Sequence, residues 1–381
     1  MIRISRTAVR GPAAKPAPTP ERHTTARAAS AKPAPTPARR AALHHALLAW
    51  YRRNARDLPW RRTRDAWAIW VSEVMLQQTR VETARPFYLR FIERYPTPAS
   101  FSRAHEDDVL AAWAGLGYYR RARQLHEAAR DVVREHGGRV PRDPESFGNL
   151  PGVGRYTQAA VLSIGFGTPL AVLDGNVARV LSRLFALKAS VREARGARAL
   201  WALAESLIPA RAPGDWNQAL MELGAMVCTP RTPRCAACPL QKQCRAFALG
   251  RVAAYPPRAP RREMERVRRA VALIERHGRV LMTRRRGPLL DGLWEPPGVE
   301  LKNGESARAK LAAALRRLGV RAAFEPTGRV VRHVITHRKI EVEVWRGSRA
   351  PEPPRGSRYV SATDSGVALT AFARRLMRDL E

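Results

Sequence analysis

All four cysteines of the chain, Cys228, Cys235, Cys238 and Cys244, fall in one short run, CTPRTPRCAACPLQKQC, spaced C-x6-C-x2-C-x5-C. None is left over for a disulfide or a free thiol. A chain of 381 residues can bury cores of its own and does not need stapling, and no secretory signal is evident, so a disulfide framework is not expected. Four thiolates in one loop read instead as ligands of a metal or a cluster. Zinc is the rival on spacing alone, but zinc ribbons pair two C-x2-C hooks across a longer gap, and here there is one hook. Tight clustering, with Pro239 directly after Cys238, favours an iron–sulfur cluster. Such a site requires a reducing compartment, and a cytoplasmic location is expected.

The second constraint is charge. The formal balance is +35, carried mostly by arginine, and an excess of this size is usually matched by nucleic acid. No apolar run approaches the ~18 residues of a membrane span, so no membrane partner is expected. Residues 1–40 contain Ala, Pro, Thr and Arg with Glu21 as the only acid, and the unit KPAPTP starts at both Lys15 and Lys32. Such a stretch cannot bury a core and reads as a disordered basic tail. A DNA-binding arm or a targeting peptide are its functional readings, and its prolines argue against the amphipathic helix that a transit peptide needs.

From 41 to 249 apolar residues recur at three- and four-residue spacing, as in HHALLAWYRR and AWAIWVSEVMLQQTRVETA, which predicts an all-helical domain ending in the cysteine loop. Residues 250–268 are proline-rich and read as a linker. After it, β-branched alternation in RRAVALIER, GRVLMTRRR, GRVVRHVITH and KIEVEVWRG predicts strands, with one helix between them at SARAKLAAALRRLG. Residues 269–381 are therefore expected to form a smaller α+β domain.

The segment LPGVGRYTQAAVLSIGFG, Leu150 to Gly167, is a Gly-rich turn opening a helix. Gly152 and Gly154 let backbone approach a ligand, the N-terminus of the following helix offers free N–H groups to a phosphate, and Arg155 is a further phosphate candidate. Such a turn alone is weak evidence, since any tight helix–helix connection looks similar. Downstream, Asp174 in VLDGNVARVLSR stands where a helix N-cap would, and Glu73 lies amid Trp70, Val71, Val74 and Met75, where a buried acid is plausible.

The order SEVMLQQT, GLGYYRRAR, LPGVGR, LDGNV and then the four cysteines resembles the helix-hairpin-helix DNA glycosylase superfamily with an iron–sulfur cluster. Within it, LPW at Leu58 to Trp60, VSEVMLQQT at Val71 to Thr79 and WNQALMELGAMVCTP at Trp216 to Pro230 are similar to the adenine DNA glycosylases of the MutY type. In the bifunctional, endonuclease III-like members the residue after LPGVGR is a Schiff-base lysine; here it is Tyr156, and without an amine the covalent lyase route is lost.

The resemblance implies a 4Fe-4S cluster on the four cysteines. It also implies a monomer acting on double-stranded DNA that carries adenine opposite 8-oxoguanine or guanine. Glu73 matches the acid that protonates the leaving base and Asp174 the carboxylate that stabilises an oxocarbenium-like sugar, a two-carboxylate logic shared with glycoside hydrolysis. Asn176 and Tyr156 would position the carboxylates or the attacking water. The base must be flipped out of the duplex. Trp60 and Leu76 are expected to wall its pocket, Arg61 and Gln218 to read adenine, and Gln78 and Tyr118 to fill and wedge the gap, with Leu116 also among the substrate-binding residues. Basic residues Arg231, Arg234, Lys242 and Arg245 around the cysteines would clamp phosphates.

The stretch from Arg269, including GLWEPPGVEL at Gly292 to Leu301, resembles a Nudix-fold domain. Arg316 and Arg317 stand where the paired metal-binding acids of a Nudix hydrolase would be, so hydrolysis is not expected. Lesion recognition is, through Thr336 and His337, with Ile335 replacing the family's Phe. His333 and Arg338 are further candidates for phosphate contacts. The rival readings are an endonuclease III-like pyrimidine glycosylase/lyase and a non-catalytic damage sensor. Tyr156 and the C-terminal domain argue against the first, and the pair Glu73 and Asp174 against the second.

Overall fold

The computed structural model describes residues 35–257, 263–287, 289–347, 352–361, 363–364 and 366–378. Most of the stretch read as a basic tail, and the middle of the proline-rich linker, lie outside these residues. The first helix, Pro37–Asn54, begins inside the stretch read as tail: Thr36 caps it through Oγ1, accepting from Arg39 N, and Pro37 takes a first-turn position where its missing N–H costs nothing. The second KPAPTP unit is thus in part a helix start.

Through residue 254 the described elements are helices only. They enclose one core rich in large aromatics, with Trp67, Trp70, Trp113, Trp216, Phe91, Phe101 and Phe147 fully buried. Helix Ala66–Leu76 runs through this core. Asp65 caps its N-terminus by accepting from Trp67 N and Ala68 N, and its residues are buried from Ala66 to Met75. A helix apolar all round must be central, and that places Glu73 inside. Close crossings set the rest. A Cβ on Gly214 would meet Ser163 O at 2.5 Å, and one on Gly224 would meet Asn176 Cβ at 2.7 Å. Helix Pro213–Met226 can therefore lie against Arg155–Phe166 and Gly175–Leu184 only with glycine at both points.

Among the described residues the C-terminal domain has seven strands: β1 Glu265–Arg276, β2 Arg279–Arg284, β3 Trp294–Glu295, β4 Gly298–Leu301, β5 Phe324–Ile335, β6 Arg338–Gly347 and β7 Ser357–Val360. The main order is β3-β2-β1-β6-β5, with β4 also on β1 and β7 also on β2. β1 and β6 pair in parallel with Val267 opposite Ile340; the other pairs are antiparallel. Alternation along β1 sends Val267, Val271 and Leu273 to a core shared with Phe372 and Leu376 of helix Ala371–Arg378. It sends Ala270, Ala272 and Ile274 to a core shared with Leu311 and Leu315 of helix Ala307–Arg317. The sheet is thus covered on both faces. β1 starts four residues before the expected boundary, and the sequence reading missed β3, β4 and β7, which are too short to show alternation, as well as the last helix. Helix Ala307–Arg317 carries no carboxylate and exposes Arg316 and Arg317.

The sequence did not announce how the two domains meet. Leu293 is fully buried in the core of the helical domain, together with Ala368, although both belong to the C-terminal domain. Around them Arg123 donates to Asp291 O at 2.6 Å and to Glu106 Oε1 at 2.6 Å, and Arg284 pairs with Asp107.

Candidate active site

A cleft of about 700 Å³ opens among Trp60, Glu73, Leu76, Tyr156, Asp174 and Asn176. Its floor is Glu73, almost fully buried. Burial pushes the Glu73 carboxyl up to about 7; a hydrogen bond from Tyr156 opposes this, the nearby Asp174 charge adds to it, and Arg61 opposes it. The Tyr156 hydroxyl donates to Glu73 Oε2 at 2.7 Å. Burial, then the carboxylates of Glu73 and Asp174, hold that phenol well above its ordinary pKa, so it remains a donor.

Asp174 does two jobs at once. It caps helix Gly175–Leu184, accepting from Val177 N at 2.7 Å through Oδ1, and it accepts from Asn176 Nδ2 at 3.0 Å through Oδ2. Burial raises its carboxyl, while the bonds from Val177 and Asn176 and the charge of Arg179 pull it back. Arg179, one turn on, donates to Asn176 Oδ1 at 2.8 Å, to Gly224 O at 2.9 Å and to Cys228 O at 2.8 Å. One guanidinium therefore ties the Asp174–Asn176 pair to the start of the cysteine loop.

The opposite wall contains a carboxylate that sequence reasoning missed. Glu222 accepts from Arg56 N and Nε at 2.9 Å, from Arg56 Nη2 at 2.7 Å and from Arg61 Nη2 at 2.8 Å. Burial alone would raise it, but the bonds from Arg56 and Arg61 outweigh burial and hold it down at about 2. Two carboxylates in one cleft are thus poised oppositely, Glu73 near neutrality and Glu222 held toward the ionised form. The contrast depends on guanidinium groups from a loop more than 160 positions away in sequence, which no local pattern reveals.

Trp60 lies edge-on to Tyr88 at 5.2 Å and lines the cleft with Leu76, Arg61 and Gln78. Gln218 does not line it: the residue is buried in helix Pro213–Met226. Leu116 is also buried, in the helical core. Tyr118 is 44% exposed. Gly152, at φ +75°, and Gly154, the N-cap of helix Arg155–Phe166, line the mouth of the cleft. No side chain caps that helix, so its first N–H groups are free for a phosphate. Arg155 stands outside, paired with Glu205 and stacked 4.0 Å over Trp201.

Thr336 and His337 sit away from the cleft, in the β5–β6 turn. Thr336, at φ +55°, has its hydroxyl 3.2 Å from His337 Nδ1. Arg338 is held between Glu265 and Glu300, and His333 is stacked 5.2 Å from Phe372.

The four cysteines are free and line one small cavity with Arg183. Arg183 is buried and donates to Cys228 O, Cys228 Sγ, Thr229 O, Pro230 O and Tyr255 O, fixing the loop from inside. Among the described residues no three His, Cys, Asp or Glu side chains are drawn together as ligands of a single metal ion. Arg231, Arg234, Lys242 and Arg245 are exposed around the loop.

Residues 71–205 match the HhH-GPD superfamily of base excision DNA repair proteins, and residues 270–378 match a NUDIX domain. The chain is 38% identical to a Rattus norvegicus adenine DNA glycosylase, over 80% of this chain and 70% of that protein. It is 37% identical to the Mus musculus adenine DNA glycosylase, over 89% of this chain and 78% of that one. The chain belongs to the adenine DNA glycosylases. Among solved structures, a thermostable thymine-DNA glycosylase superposes with a TM-score of 0.52 at 33% identity, covering 56% of this chain and 98% of that one. That match covers little more than half of this glycosylase.

Proposed function

We propose that this glycosylase removes adenine mispaired with 8-oxoguanine or guanine in double-stranded DNA, as a monofunctional enzyme and a monomer. The observation that carries the reading is the Tyr156–Glu73 hydrogen bond at the floor of the cleft. It puts a phenol where a lyase needs an amine, beside an acid that is half-protonated near neutral pH. Among the described residues no lysine lines the cleft.

The steps follow from these groups. Adenine flipped into the cleft is bounded by Trp60 and Leu76. Ionised Glu222, its two oxygens taken up by Arg56 and Arg61, holds those guanidinium groups in the cleft wall. Protonated Glu73 gives its proton to the leaving base as the glycosidic bond breaks, and the bond's electron pair departs with adenine. The cationic sugar is stabilised by Asp174, whose orientation Asn176 and Val177 N hold. Water adds to the sugar carbon, its proton passes to Glu73, and an abasic site remains. Tyr156 keeps Glu73 aimed and stays protonated throughout.

The four cysteines suit a 4Fe-4S cluster because all line one cavity that the Arg183 guanidinium faces, a cation opposite what would be thiolate ligands. When bound, the cluster supplies a rigid, oxygen-free anchor for the loop. The chain's own residues present Arg231, Arg234, Lys242 and Arg245 to phosphates. Thr336 and His337 are proposed to meet the base opposite adenine. Single-turnover cleavage of an A:8-oxoguanine duplex tests the proposal: strand breaks are expected only after alkali.

A further inference from the structure

Two candidate wedge residues, far apart in sequence, share an unusual backbone state. Gln78 has φ +57° and Tyr118 has φ +51°, and Gly117, just before Tyr118, has φ +74°. L-residues rarely adopt this conformation, and they persist in it only where their surroundings over-determine it. The surroundings here converge on one side chain, Arg121. Its Nη1 donates to Val74 O at 2.6 Å, Met75 O at 3.0 Å and Gln77 O at 2.5 Å. Its Nη2 donates to Thr79 Oγ1 at 3.3 Å and Gly117 O at 3.1 Å. The guanidinium carbon lies 5.4 Å from the Tyr118 ring centre and 5.6 Å from that of Trp113.

The acceptors explain the choice of residue. Val74 O, Met75 O and Gln77 O are the orphan carbonyls at the end of helix Ala66–Leu76, the helix that carries Glu73. Gln77 O and Thr79 Oγ1 flank Gln78, and Gly117 O precedes Tyr118. Burial lowers the guanidinium to about 10, so it is still a cation at neutral pH. An ammonium could serve fewer of these acceptors, and only a planar fork spans both segments.

We propose that Arg121 is a positioning residue that joins the Gln78 and Tyr118 turns into one rigid wedge and sets that wedge against the end of the Glu73 helix. Unstacking of the duplex is then mechanically referenced to the catalytic acid. Gln78 and Tyr118 enter DNA as a preformed unit, and their strained backbones are held before binding. The inference rests on the glycosylase reading above, and the test separates the two.

The experiment uses the full chain and a duplex with one A:8-oxoguanine pair flanked by 2-aminopurine, whose fluorescence rises when its stacking is broken. Wild type is expected to brighten the probe on binding. Arg121→Lys is expected to bind without brightening it and to excise adenine from this duplex on the order of 100-fold more slowly, the loss that an ångström-scale misplacement brings. Its loss on adenine opposite an abasic site, which is already unpaired, is expected to be no more than a few-fold. Arg121→Met should behave the same way. If it fails to fold, as judged by circular dichroism, the lysine variant decides alone. Wild-type brightening in Arg121→Lys, or equal losses on both substrates, overturns the proposal. A wild-type protein that excises no adenine at all instead overturns the glycosylase reading, while its brightening still reports the wedge.

Discussion

The Tyr156 hydroxyl is 2.7 Å from Glu73 Oε2, and it is the only hydrogen bond among the described residues that the Glu73 side chain is seen to make. It stabilises the ionised acid against burial and the Asp174 charge, both of which favour the protonated form. Tyr156→Phe removes that opposition. The Glu73 carboxyl should then titrate higher than about 7, and if the protonated form gives its proton to the base, as proposed, the alkaline limb of the excision–pH profile should move to higher pH. A limb that stays in place or moves to lower pH, measured in single turnovers, contradicts this assignment of the proton.

Glu73→Gln should abolish excision and retain binding to the mispair. It should also change stability in a pH-dependent way. The folded-state pKa of Glu73 is raised from 4.5 to about 7, so its stabilising contribution is full below the unfolded value and is lost as pH rises through the folded one. A shift of that size corresponds to about 3 kcal/mol. Glutamine cannot ionise, so the variant should gain thermal stability relative to wild type at pH 8 and little or none at pH 4. Equal differences at both pH values would mean that the buried acid is not the source.

Much of this site could be read from the chain, for identifiable reasons. Glu73, Asp174, Asn176, Tyr156 and Gly152 each sit inside a short contiguous motif, so their residue types and their neighbours on one helix or turn were visible together. Glu222 was not visible as a functional group, since its meaning depends on Arg56 and Arg61 arriving from a distant loop. Gln218 illustrates the converse: it lies in a matching motif, yet the helix turns it into the core. Leu293 shows the same limit for the fold. GLWEPPG reads as part of the C-terminal domain, and only the docked arrangement shows its leucine filling the other domain's core.

Gly224→Ala should reduce excision without touching any reacting group. The added Cβ would stand 2.7 Å from Asn176 Cβ and 3.1 Å from Asn176 Cα, so the helix that Asp174 caps must shift. Overpacking of this kind costs about 1–3 kcal/mol. A melting temperature and an excision rate that both match wild type would show that the crossing is not tight.

Leu293→Ala should weaken the dock between the domains. The side chain is fully buried in the helical core, and such truncations cost about 2–5 kcal/mol. Calorimetry is expected to show the thermal transition broadening or splitting, with the excision rate on adenine opposite guanine falling less than that on adenine opposite 8-oxoguanine. An unchanged single transition would mean that the dock contributes little.

Base removal without a covalent amine leaves an abasic strand intact until alkali cleaves it. A duplex with a single A:8-oxoguanine pair is incubated with excess protein, and each time point is split and analysed with and without alkali. The structure leads us to expect single-exponential appearance of breaks in the alkali-treated half and intact strands in the other, since Tyr156 lines the cleft and, among the described residues, no lysine does. Breaks of equal extent in both halves, with a complex trapped by borohydride, would show a lyase and contradict the account.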